Sequence, residues 1–296
     1  MIYTLTVNPA VDYVVHIDRL MRGETNRSQG EEFQLGGKGI NVSQILKCLG
    51  QETVALGFIA GFTGDALERE MASCGLKTDF IRLADGFTRI NLKLKSGDET
   101  EINARGPAIT EADMEKLYEK LEHIRSGDTL VLAGSVPDTL SSDTYAQILH
   151  RLDGRGIRFV VDATGELLLR TLKYRPFLVK PNRAELEELC GRILPTDGAI
   201  AEAAQELKRQ GAINVLVSLG GEGALLLDES GKVHRTEAHR GRVISTTGAG
   251  DSMVAGFLAG VSRGYEYALA LGSAAGSATS FTSGLADKES ILALCH

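Results

Sequence analysis

Residues 245–256 read STTGAGDSMVAG, and the rest of the chain is organised around this stretch. Gly248, Ala249 and Gly250 are small, so their backbone N–H groups can point at one spot without steric obstruction. An apolar run that is typical of a buried helix follows Asp251, and a glycine turn that opens a helix is a binding site for anions. The amides can hold a phosphoryl group while Asp251 accepts the proton of an alcohol, so the stretch predicts phosphoryl transfer.

The same stretch has a second interpretation. Short glycine patterns often occur by chance, and this one could be an ordinary loop–helix junction with an acidic first turn. Taken alone, the stretch leaves both interpretations open.

The composition limits the class of protein. The chain has 296 residues, 43% of them hydrophobic, which is enough for a full globular core. Its formal charge of −7 argues against a nucleic-acid binder, which usually carries a basic face. No apolar run reaches the length of a membrane span, and the first residues lack the basic start of a signal peptide. The four cysteines are scattered without a CxxC pair, so we expect reduced thiols and a cytoplasmic protein. The charge and the lack of a long apolar run predict that the protein has no nucleic-acid or membrane partner.

Short apolar segments alternate with helical segments through the second part of the chain. The predicted strands include residues 129–133 and 157–162, and the predicted helices include 112–124 and 142–152. These strands show no polar alternation, which is typical of a parallel sheet covered on both faces. We therefore predict an α/β fold, a doubly wound and mostly parallel sheet flanked by helices, as a single domain over residues 1–296.

The segment TRINLKLKS and the TEIN that follows it break this rhythm. Asn91, Lys93 and Lys95 alternate with apolar residues, which predicts a hairpin with one wet face. We pair the hairpin with an early strand in a small β-sheet outside the main core, built from about residues 11–35 and 87–106. Such a sheet can be a lid, a dimer surface or both, and its edge favours a homodimer through the lid.

Candidate ligand-binding motifs lie at the ends of the predicted strands. In open α/β sheets, ligands bind beyond the carboxyl ends of the strands. Any one of these motifs could be a plain turn, but their shared placement favours a common site. The motifs are Asp12, residues 36–39, Gly134–Ser135, residues 180–182, residues 218–223 and residues 248–251.

The common nucleotide-binding fingerprints are absent from the sequence. The pattern GxxxxGK[ST] fails because Gly39 follows Lys38, and GxGxxG fails because residue 253 is methionine. A P-loop NTPase and a nicotinamide-dependent dehydrogenase are therefore disfavoured.

Two further motifs suit a phosphorylated ligand. GGKGIN supplies backbone amides with Lys38 and Asn41, which fit a polyhydroxy ligand that carries a phosphate. The alternative is a glycine loop with a solvated lysine. Asn182 and Glu185, in NxxE spacing at a helix start, offer oxygen atoms that could organise Mg²⁺ through water, or Glu185 is simply exposed in a first turn.

Arg89 and Arg105 flank the two ends of the predicted lid hairpin. Their guanidinium groups could clamp an anionic substrate. They could equally be solvated charges on the wet face, and the residues alone leave both possibilities open.

Two longer segments resemble the signatures of one enzyme family. GGKGINVSQILKCLG (36–50) and STTGAGDSMVAGFLAG (245–260) resemble the two signatures of the PfkB sugar kinases, which have the ribokinase-like fold. TLTVNPAVD, AGSVP, VKPNRAEL and SLGGEGAL follow the order of that family's segments, so the resemblance covers nearly the whole chain. Thr246 and Thr247 stand where relatives often carry Asp-Thr or Ser-Val. Both are small, so we expect the turn to survive.

The resemblance implies a role for each candidate residue. Asp251 would be the base that takes the hydroxyl proton, and the amides of Gly248, Ala249 and Gly250 would form the anion hole. Sugar hydroxyls would be bound by Asp12, Gly37 and Asn41, and the sugar phosphate or its surroundings by Lys38, Arg89 and Ser135. The ATP site would be lined by Lys180, Asn182, Ser218, Gly220 and Gly223, and Mg²⁺ would be held by Glu185.

The resemblance also implies a reaction, the ATP- and Mg²⁺-dependent phosphorylation of a ketohexose phosphate. D-Fructose 1-phosphate, converted into fructose 1,6-bisphosphate, is the favoured substrate. Tagatose 6-phosphate or another substrate of the family is the first alternative. A non-catalytic sensor of sugar phosphate or nucleotide is the second, because a fold does not determine a function.

Overall fold

Two β-sheets and their flanking helices make up residues 1–295, the part of the chain that the computed structural model describes, apart from the side chains of residues 98 and 99. The strands, in chain order, are β1 (Ile2–Thr6), β2 (Ala10–His16), β3 (Gly30–Gly36), β4 (Thr53–Ile59), β5 (Lys77–Thr78), β6 (Ile81–Arg82), β7 (Arg89–Ser96), β8 (Asp98–Asn103), β9 (Thr129–Ala133), β10 (Arg158–Asp162), β11 (Leu178–Val179), β12 (Asn214–Ser218), β13 (Ala224–Leu227) and β14 (Val233–Thr236). The helices are α1 (Lys38–Cys48), α2 (Gly61–Ser73), α3 (Glu111–Leu121), α4 (Thr144–Leu152), α5 (Gly165–Leu169), α6 (Arg183–Cys190), α7 (Asp197–Arg209), α8 (Ala249–Gly260), α9 (Tyr265–Ser280) and α10 (Lys288–Leu294).

The larger sheet has ten strands in the order β14-β13-β12-β11-β10-β9-β1-β4-β5, and β6 pairs with β4. The pairs from β12 through β1 to β5 are parallel, whereas β13 and β14 add an antiparallel edge. The chain starts in β1 and later strands lie on both sides of it. The carboxyl end of β1 is therefore a topological switch point, where open α/β sheets bind their ligands.

Helices cover both faces of the larger sheet. Leu130 and Leu132 of β9 pack in a core with side chains of α3, α4, α6 and α7. Val131 and Ala133 of the same strand pack with side chains of α1, α8 and α9 on the other face. Since both faces are buried, the strand is apolar without alternation. The predicted fold, a mostly parallel sheet flanked by helices, is confirmed.

The smaller sheet has the strand order β3-β2-β7-β8. β7 and β8 form the predicted hairpin, and β7 pairs with the early strand β2, as expected. The register places Asp12 beside Asn91 and Tyr13 beside Leu92, so neighbouring residues of each strand point to opposite faces.

The polar face of this sheet is not wet, contrary to the expectation from the sequence. Asn91 and Lys93 are buried, because their face turns toward Asp12 and the cleft described below. The exposed large side chains of the sheet, Tyr13, Phe33 and Ile102, lie together on the apolar face.

Several elements were not predicted. They include the edge strand β14 and the helix α10, whereas the strand β3 was covered only by the predicted range of the small sheet, about residues 11–35. β3 forms because it pairs along its whole length with β2, and its own sequence has no clear strand period. The single domain over residues 1–296 stays a prediction. Its last residue, 296, lies outside the described residues. Within residues 1–295, no helix has the length and apolar character needed to cross a membrane.

Gly57→Ala should destabilise the fold. Gly57 lies opposite Thr6 in the β1–β4 pair and has a φ of 153°, and a Cβ there would overlap the carbonyl oxygen of Thr6. Because two central strands would have to separate, we expect the free energy of unfolding to fall by about 2–4 kcal/mol in denaturant titrations. The control Gly198→Ala has an open position in the first turn of α7 and should be neutral or stabilising. Equal unfolding midpoints for the two variants would contradict the steric argument.

Candidate active site

A cleft of about 590 Å³ opens beyond the carboxyl ends of the parallel strands. A second pocket of about 290 Å³ adjoins it, and the two share Asn182, Ser218, Thr246 and Gly250. The predicted site residues that line the cleft are Asp12, Gly37, Lys38, Asn41, Arg89, Ser135, Lys180, Asn182, Glu185, Ser218, Gly248, Gly250 and Asp251. Those that line the second pocket include Gly220, Gly223 and Ala249. The structure brings the predicted residues into one continuous depression, and the roles given to them stay predictions.

The glycine turn opens α8 in a conformation that leaves backbone amides available. Gly248 has a φ of 77°, and a Cβ there would lie 2.7 Å from Leu285 Cδ2, so glycine is required. α8 begins without a side-chain cap. Within residues 1–295, no group accepts a hydrogen bond from the N–H of Gly250 or Asp251. These amides and the positive end of the helix dipole can therefore bind an anion.

Asp251, the expected base, lies buried beside this turn. Its Oδ2 accepts a 2.8 Å hydrogen bond from Asn41 Nδ2. Burial raises the pKa of Asp251 to about 6, and the negative charge of Asp162 adds to the increase against the opposing effects of Lys38, Asn41 and Lys180. A carboxyl group with this pKa is mostly ionised at neutral pH yet basic enough to accept a proton, as a general base requires.

Asp162 is a member of the site that the sequence analysis missed. Its Oδ1 lies 3.4 Å from Lys38 Nζ and 3.3 Å from Lys180 Nζ. Burial alone would raise the pKa of Asp162, but the charges of Lys180 and Lys38 outweigh burial and lower the pKa below its ordinary value. A signal was present in the sequence, because an acidic residue ends the buried apolar strand RFVVD.

The two lysines bring positive charge to the glycine turn. A Cβ on Gly250 would lie 3.2 Å from Lys180 Nζ, so this ammonium group is next to the free amides. Burial tends to lower the pKa of Lys38, but Asp162 and the other carboxylates of the cleft outweigh burial and raise it. Both ammonium groups can therefore neutralise an anion held by the turn.

Two neighbours on β7 hold Asp12 in place. Asp12 Oδ1 accepts a 2.8 Å hydrogen bond from Asn91 Nδ2, and Asp12 Oδ2 lies 3.1 Å from Lys93 Nζ. Gly36 passes so close that a Cβ there would lie 2.6 Å from Asp12 Oδ1. The carboxylate is thus oriented to accept hydrogen bonds from ligand hydroxyls. Asn91 and Lys93 were not predicted as site residues, because their alternation with apolar residues is that of any strand with a solvated face.

The second pocket is suited to a flat apolar group. Small and apolar residues such as Ala249, Met253 and Phe281 line it. The Phe281 ring packs on the backbone of Gly241, where a Cβ would overlap the ring. Such a pocket can hold a heteroaromatic base. Its position next to the glycine turn allows one ligand to place a base in this pocket and an anionic group at the amides.

The predicted Asn182–Glu185 metal element is a capping box at the start of α6. Asn182 Oδ1 accepts a hydrogen bond from the Glu185 N–H, and Glu185 Oε2 accepts one from the Asn182 N–H, each 2.8 Å long. Glu185 lines the cleft, and the buried Asp162 Oδ2 has no hydrogen-bond partner among the described residues. Within residues 1–295, no group of three or more His, Cys, Asp or Glu side chains forms a ready-made metal site. The oxygen atoms fit a magnesium ion that arrives with phosphate ligands and retains water.

The chain belongs to the pfkB family, because residues 2–291 match the family described as pfkB family carbohydrate kinase. It is 43% identical over 291 residues to a 1-phosphofructokinase of Bacillus subtilis (strain 168), covering 98% of this chain and 95% of the relative. It is 38% identical over 290 residues to a D-tagatose-1-phosphate kinase of Bacillus licheniformis, covering 97% and 95%. The solved structure of phosphofructokinase-2 from Escherichia coli in complex with substrates and products matches with a TM-score of 0.94 at 32% identity, covering 99% of this chain and 97% of that one.

The family membership and the groups that line the cleft indicate the same class of reaction. The chain is a carbohydrate kinase, a phosphotransferase with an alcohol group as acceptor. The predicted membership in the PfkB sugar kinases is confirmed.

Asp162→Asn should lower the pKa of Asp251. The substitution removes a negative charge that raises this pKa and leaves Lys38 and Lys180 free to attract Asp251. In the unsubstituted enzyme, kcat/KM should fall about tenfold per pH unit as the pH drops below about 6, since the base is then protonated. In the variant, this acid limb should move to lower pH, because burial alone then raises the pKa of Asp251 and the two lysines lower it.

Profiles of kcat/KM against pH, recorded for the unsubstituted enzyme and for Asp162→Asn, give the position of the acid limb in each. The control Asp153→Asn changes an exposed aspartate at the end of α4 and should leave the profile unmoved. An acid limb that stays near pH 6 in Asp162→Asn would contradict the electrostatic coupling.

Proposed function

We propose that the protein transfers the γ-phosphoryl group of ATP to O6 of D-fructose 1-phosphate, which yields fructose 1,6-bisphosphate. The observation that carries the proposal is the position of the free amides and Asp251 at the junction of two pockets. One pocket is apolar and suits adenine, and the other is polar and contains Asp12, Lys38 and Arg89. The identity to relatives named 1-phosphofructokinase supports this choice of substrate.

In this mechanism the residues of the chain mainly position groups and neutralise charge. Asp251 accepts the proton of the acceptor hydroxyl, and the raised pKa favours that transfer. The amides of Gly250 and Asp251 donate hydrogen bonds to the migrating phosphoryl group, and the ammonium groups of Lys38 and Lys180 offset its charge. Phosphoryl transfer has a loose transition state, in which the base has little negative charge to offset. The positioning of the reacting groups therefore contributes more to the rate than the base does.

Magnesium fits this proposal through the oxygen atoms of the cleft. Glu185, oriented by its capping box with Asn182, would hold the ion through water, and Asp162 Oδ2 offers a further acceptor. When bound, the ion neutralises the negative charge of the nucleotide phosphates.

A second ketohexose 1-phosphate, D-tagatose 1-phosphate, is the alternative acceptor. The relative that is named D-tagatose-1-phosphate kinase is 38% identical to this chain. Tagatose differs from fructose in the orientation of one hydroxyl group, and the carboxylate of Asp12 is a hydrogen-bond acceptor for hydroxyls. Tagatose 6-phosphate, an alternative left open by the sequence, stays a prediction for the same experiment, and the membership in a kinase family argues against the other alternative, a non-catalytic sensor.

A coupled assay of ADP release over a panel of sugar phosphates tests the proposal. We expect the highest kcat/KM with D-fructose 1-phosphate, above D-tagatose 1-phosphate, tagatose 6-phosphate and fructose 6-phosphate. Asp251→Asn should keep ATP binding and lower kcat by about 10²- to 10⁴-fold, the range of a general base. Because it removes a buried charge, it should not lower the melting temperature. A preference for another sugar would refute the substrate, and near-normal turnover of Asp251→Asn would remove that residue from the mechanism.

We further propose that the protein is cytoplasmic. We also propose that it is a homodimer that associates through the small sheet, and that this sheet acts as a lid. Cys48, Cys74, Cys190 and Cys295 are free thiols, as expected in a reducing compartment. The apolar face of the small sheet exposes Phe33 by 47% and Ile102 by 57%. Such a face favours a partner with the same surface.

Phe33→Asp should convert the dimer into a monomer, since it places a charge in the apolar interface. Light scattering after size-exclusion chromatography measures the mass. The control Phe62→Asp changes another exposed phenylalanine, at the start of α2 and outside the small sheet, and should leave the mass unchanged. A monomeric unsubstituted protein, or a dimer that survives Phe33→Asp, would refute the interface.

A further inference from the structure

The connection between α9 and α10 contacts two parts of the proposed nucleotide site. Residues 281–286, which we call the connecting segment, follow α9 without helix or strand structure. Phe281 lines the apolar pocket. Leu285 packs against the glycine turn, since a Cβ on Gly248 would lie 2.7 Å from Leu285 Cδ2. A nucleotide with its base in the apolar pocket and its terminal phosphate at the turn would therefore contact the start of this segment and the turn that its end supports.

A hydrogen bond joins the connecting segment to the small sheet. Gln34 Nε2 of β3 donates a 3.3 Å hydrogen bond to the carbonyl oxygen of Ser283. The same Nε2 donates a 2.8 Å hydrogen bond to Glu32 Oε2, and Glu32 Oε1 lies 2.8 Å from His16 Nε2 of β2. Because a carboxylate can only accept, Glu32 directs one N–H of the Gln34 amide to itself and leaves the second N–H for Ser283. The small sheet thus orients the donor that holds the segment.

Hydroxyl groups fix the backbone of the connecting segment. Thr279 Oγ1 accepts a 3.2 Å hydrogen bond from the Ala286 N–H and lies 2.8 Å from Ser252 Oγ of α8. Thr282 Oγ1 donates a 2.7 Å hydrogen bond to the carbonyl oxygen of Gly284. Thr279 and Ser252 are fully buried. Energetic coupling in proteins travels through packed side chains and hydrogen bonds of this kind, so a restraint at one end of the segment reaches the other end.

The attachment point on the small sheet adjoins the sugar side of the cleft. Gln34 lies directly opposite Asp12 in the antiparallel pair of β2 and β3, so the two side chains share one face. Asp12 lines the cleft, whereas neither Gln34 nor Ser283 lines the cleft or the apolar pocket. Gln34 can therefore influence a bound ligand only through other groups. The contacts form a continuous path from the apolar pocket and the glycine turn to the strand that carries Asp12.

We propose that the connecting segment couples the binding of the nucleotide to the binding of the sugar phosphate, and that Gln34 is the positioning residue of this coupling. The inference rests on the proposed function and adds a route between its two binding sites. A nucleotide restrains Phe281 and the glycine turn, and the hydrogen bond at Ser283 passes this restraint to β3 and its neighbour β2. Because coupling is reciprocal, a bound sugar phosphate strengthens nucleotide binding by the same factor.

Calorimetric titrations measure the coupling without turnover. The titrant is the Mg²⁺ complex of the β,γ-imido analogue of ATP, whose terminal phosphoryl group is not transferred. It is titrated with and without a saturating amount of the sugar phosphate that binds most tightly in the panel. In the unsubstituted protein, the sugar phosphate should lower the Kd of the analogue by about 5- to 150-fold, the usual range of coupling between sites.

Gln34→Ala should reduce this coupling factor by about 2- to 10-fold, the contribution of one hydrogen bond. The Kd of each ligand alone should stay unchanged, because neither Gln34 nor Ser283 lines a pocket. Gln34→Lys retains an N–H donor and should keep more of the factor than Gln34→Ala. The control Gln29→Ala changes an exposed glutamine in the loop between β2 and β3 that lines neither pocket, and it should leave the factor unchanged.

The outcomes separate the two proposals. A sugar phosphate that binds without being turned over refutes the proposed function, and the titrations with that sugar phosphate still decide the role of Gln34. A protein that binds no sugar phosphate overturns both proposals. Independent binding of the two ligands in the unsubstituted protein, or an unchanged factor in Gln34→Ala, overturns the inference alone. Weaker binding of each ligand by itself in Gln34→Ala also overturns it, because Gln34 would then shape the sites and not the route between them.

Discussion

The cleft depends on a balance of charge among two carboxylates and two ammonium groups. Asp162, Asp251 and Lys180 are buried, so their charges are poorly screened by water. Asp162 stays ionised because Lys38 and Lys180 both lie near its Oδ1. Its negative charge and burial together hold the pKa of Asp251 near 6. The proton affinity that the proposed base requires thus results from an arrangement of four side chains, and each of them influences the proton affinity of the others.

The topology of the larger sheet makes this arrangement possible. Asp162 ends β10, Lys180 follows β11, and Lys38 and Asp251 lie in the first turns of α1 and α8. Parallel strands bring their carboxyl ends to one edge of a sheet, and the segments that leave those ends begin at the same edge. Residues that are far apart in the chain therefore come into contact, as the hydrogen bond between Asn41 and Asp251 illustrates across 210 positions. The same edge supplies free amides and positive charge for one anion.

The smaller sheet orients polar groups of the cleft through its polar face. Asp12 is fixed there by Asn91 and Lys93, and the loop after β8 is fixed by Asn8. Because these contacts orient the carboxylate and the loop before any ligand binds, little ordering remains to be done on binding. The apolar face of the sheet is directed away from this polar network and carries the exposed Phe33. The small sheet thereby places polar groups in the cleft with one face and carries the candidate dimer interface on the other.

What the sequence alone determined were the features encoded by neighbouring residues. The apolar strand 129–133 and the turn at Gly248 were predicted correctly, since burial on two faces and a left-handed backbone each leave a local pattern. Tertiary structure decided which polar groups are buried and which charges meet. Asp162 looked like a strand end and Lys93 like a solvated lysine, because their partners lie far away in the chain. Burial and the distance between charges set a pKa, and neither exists before distant segments pack against each other.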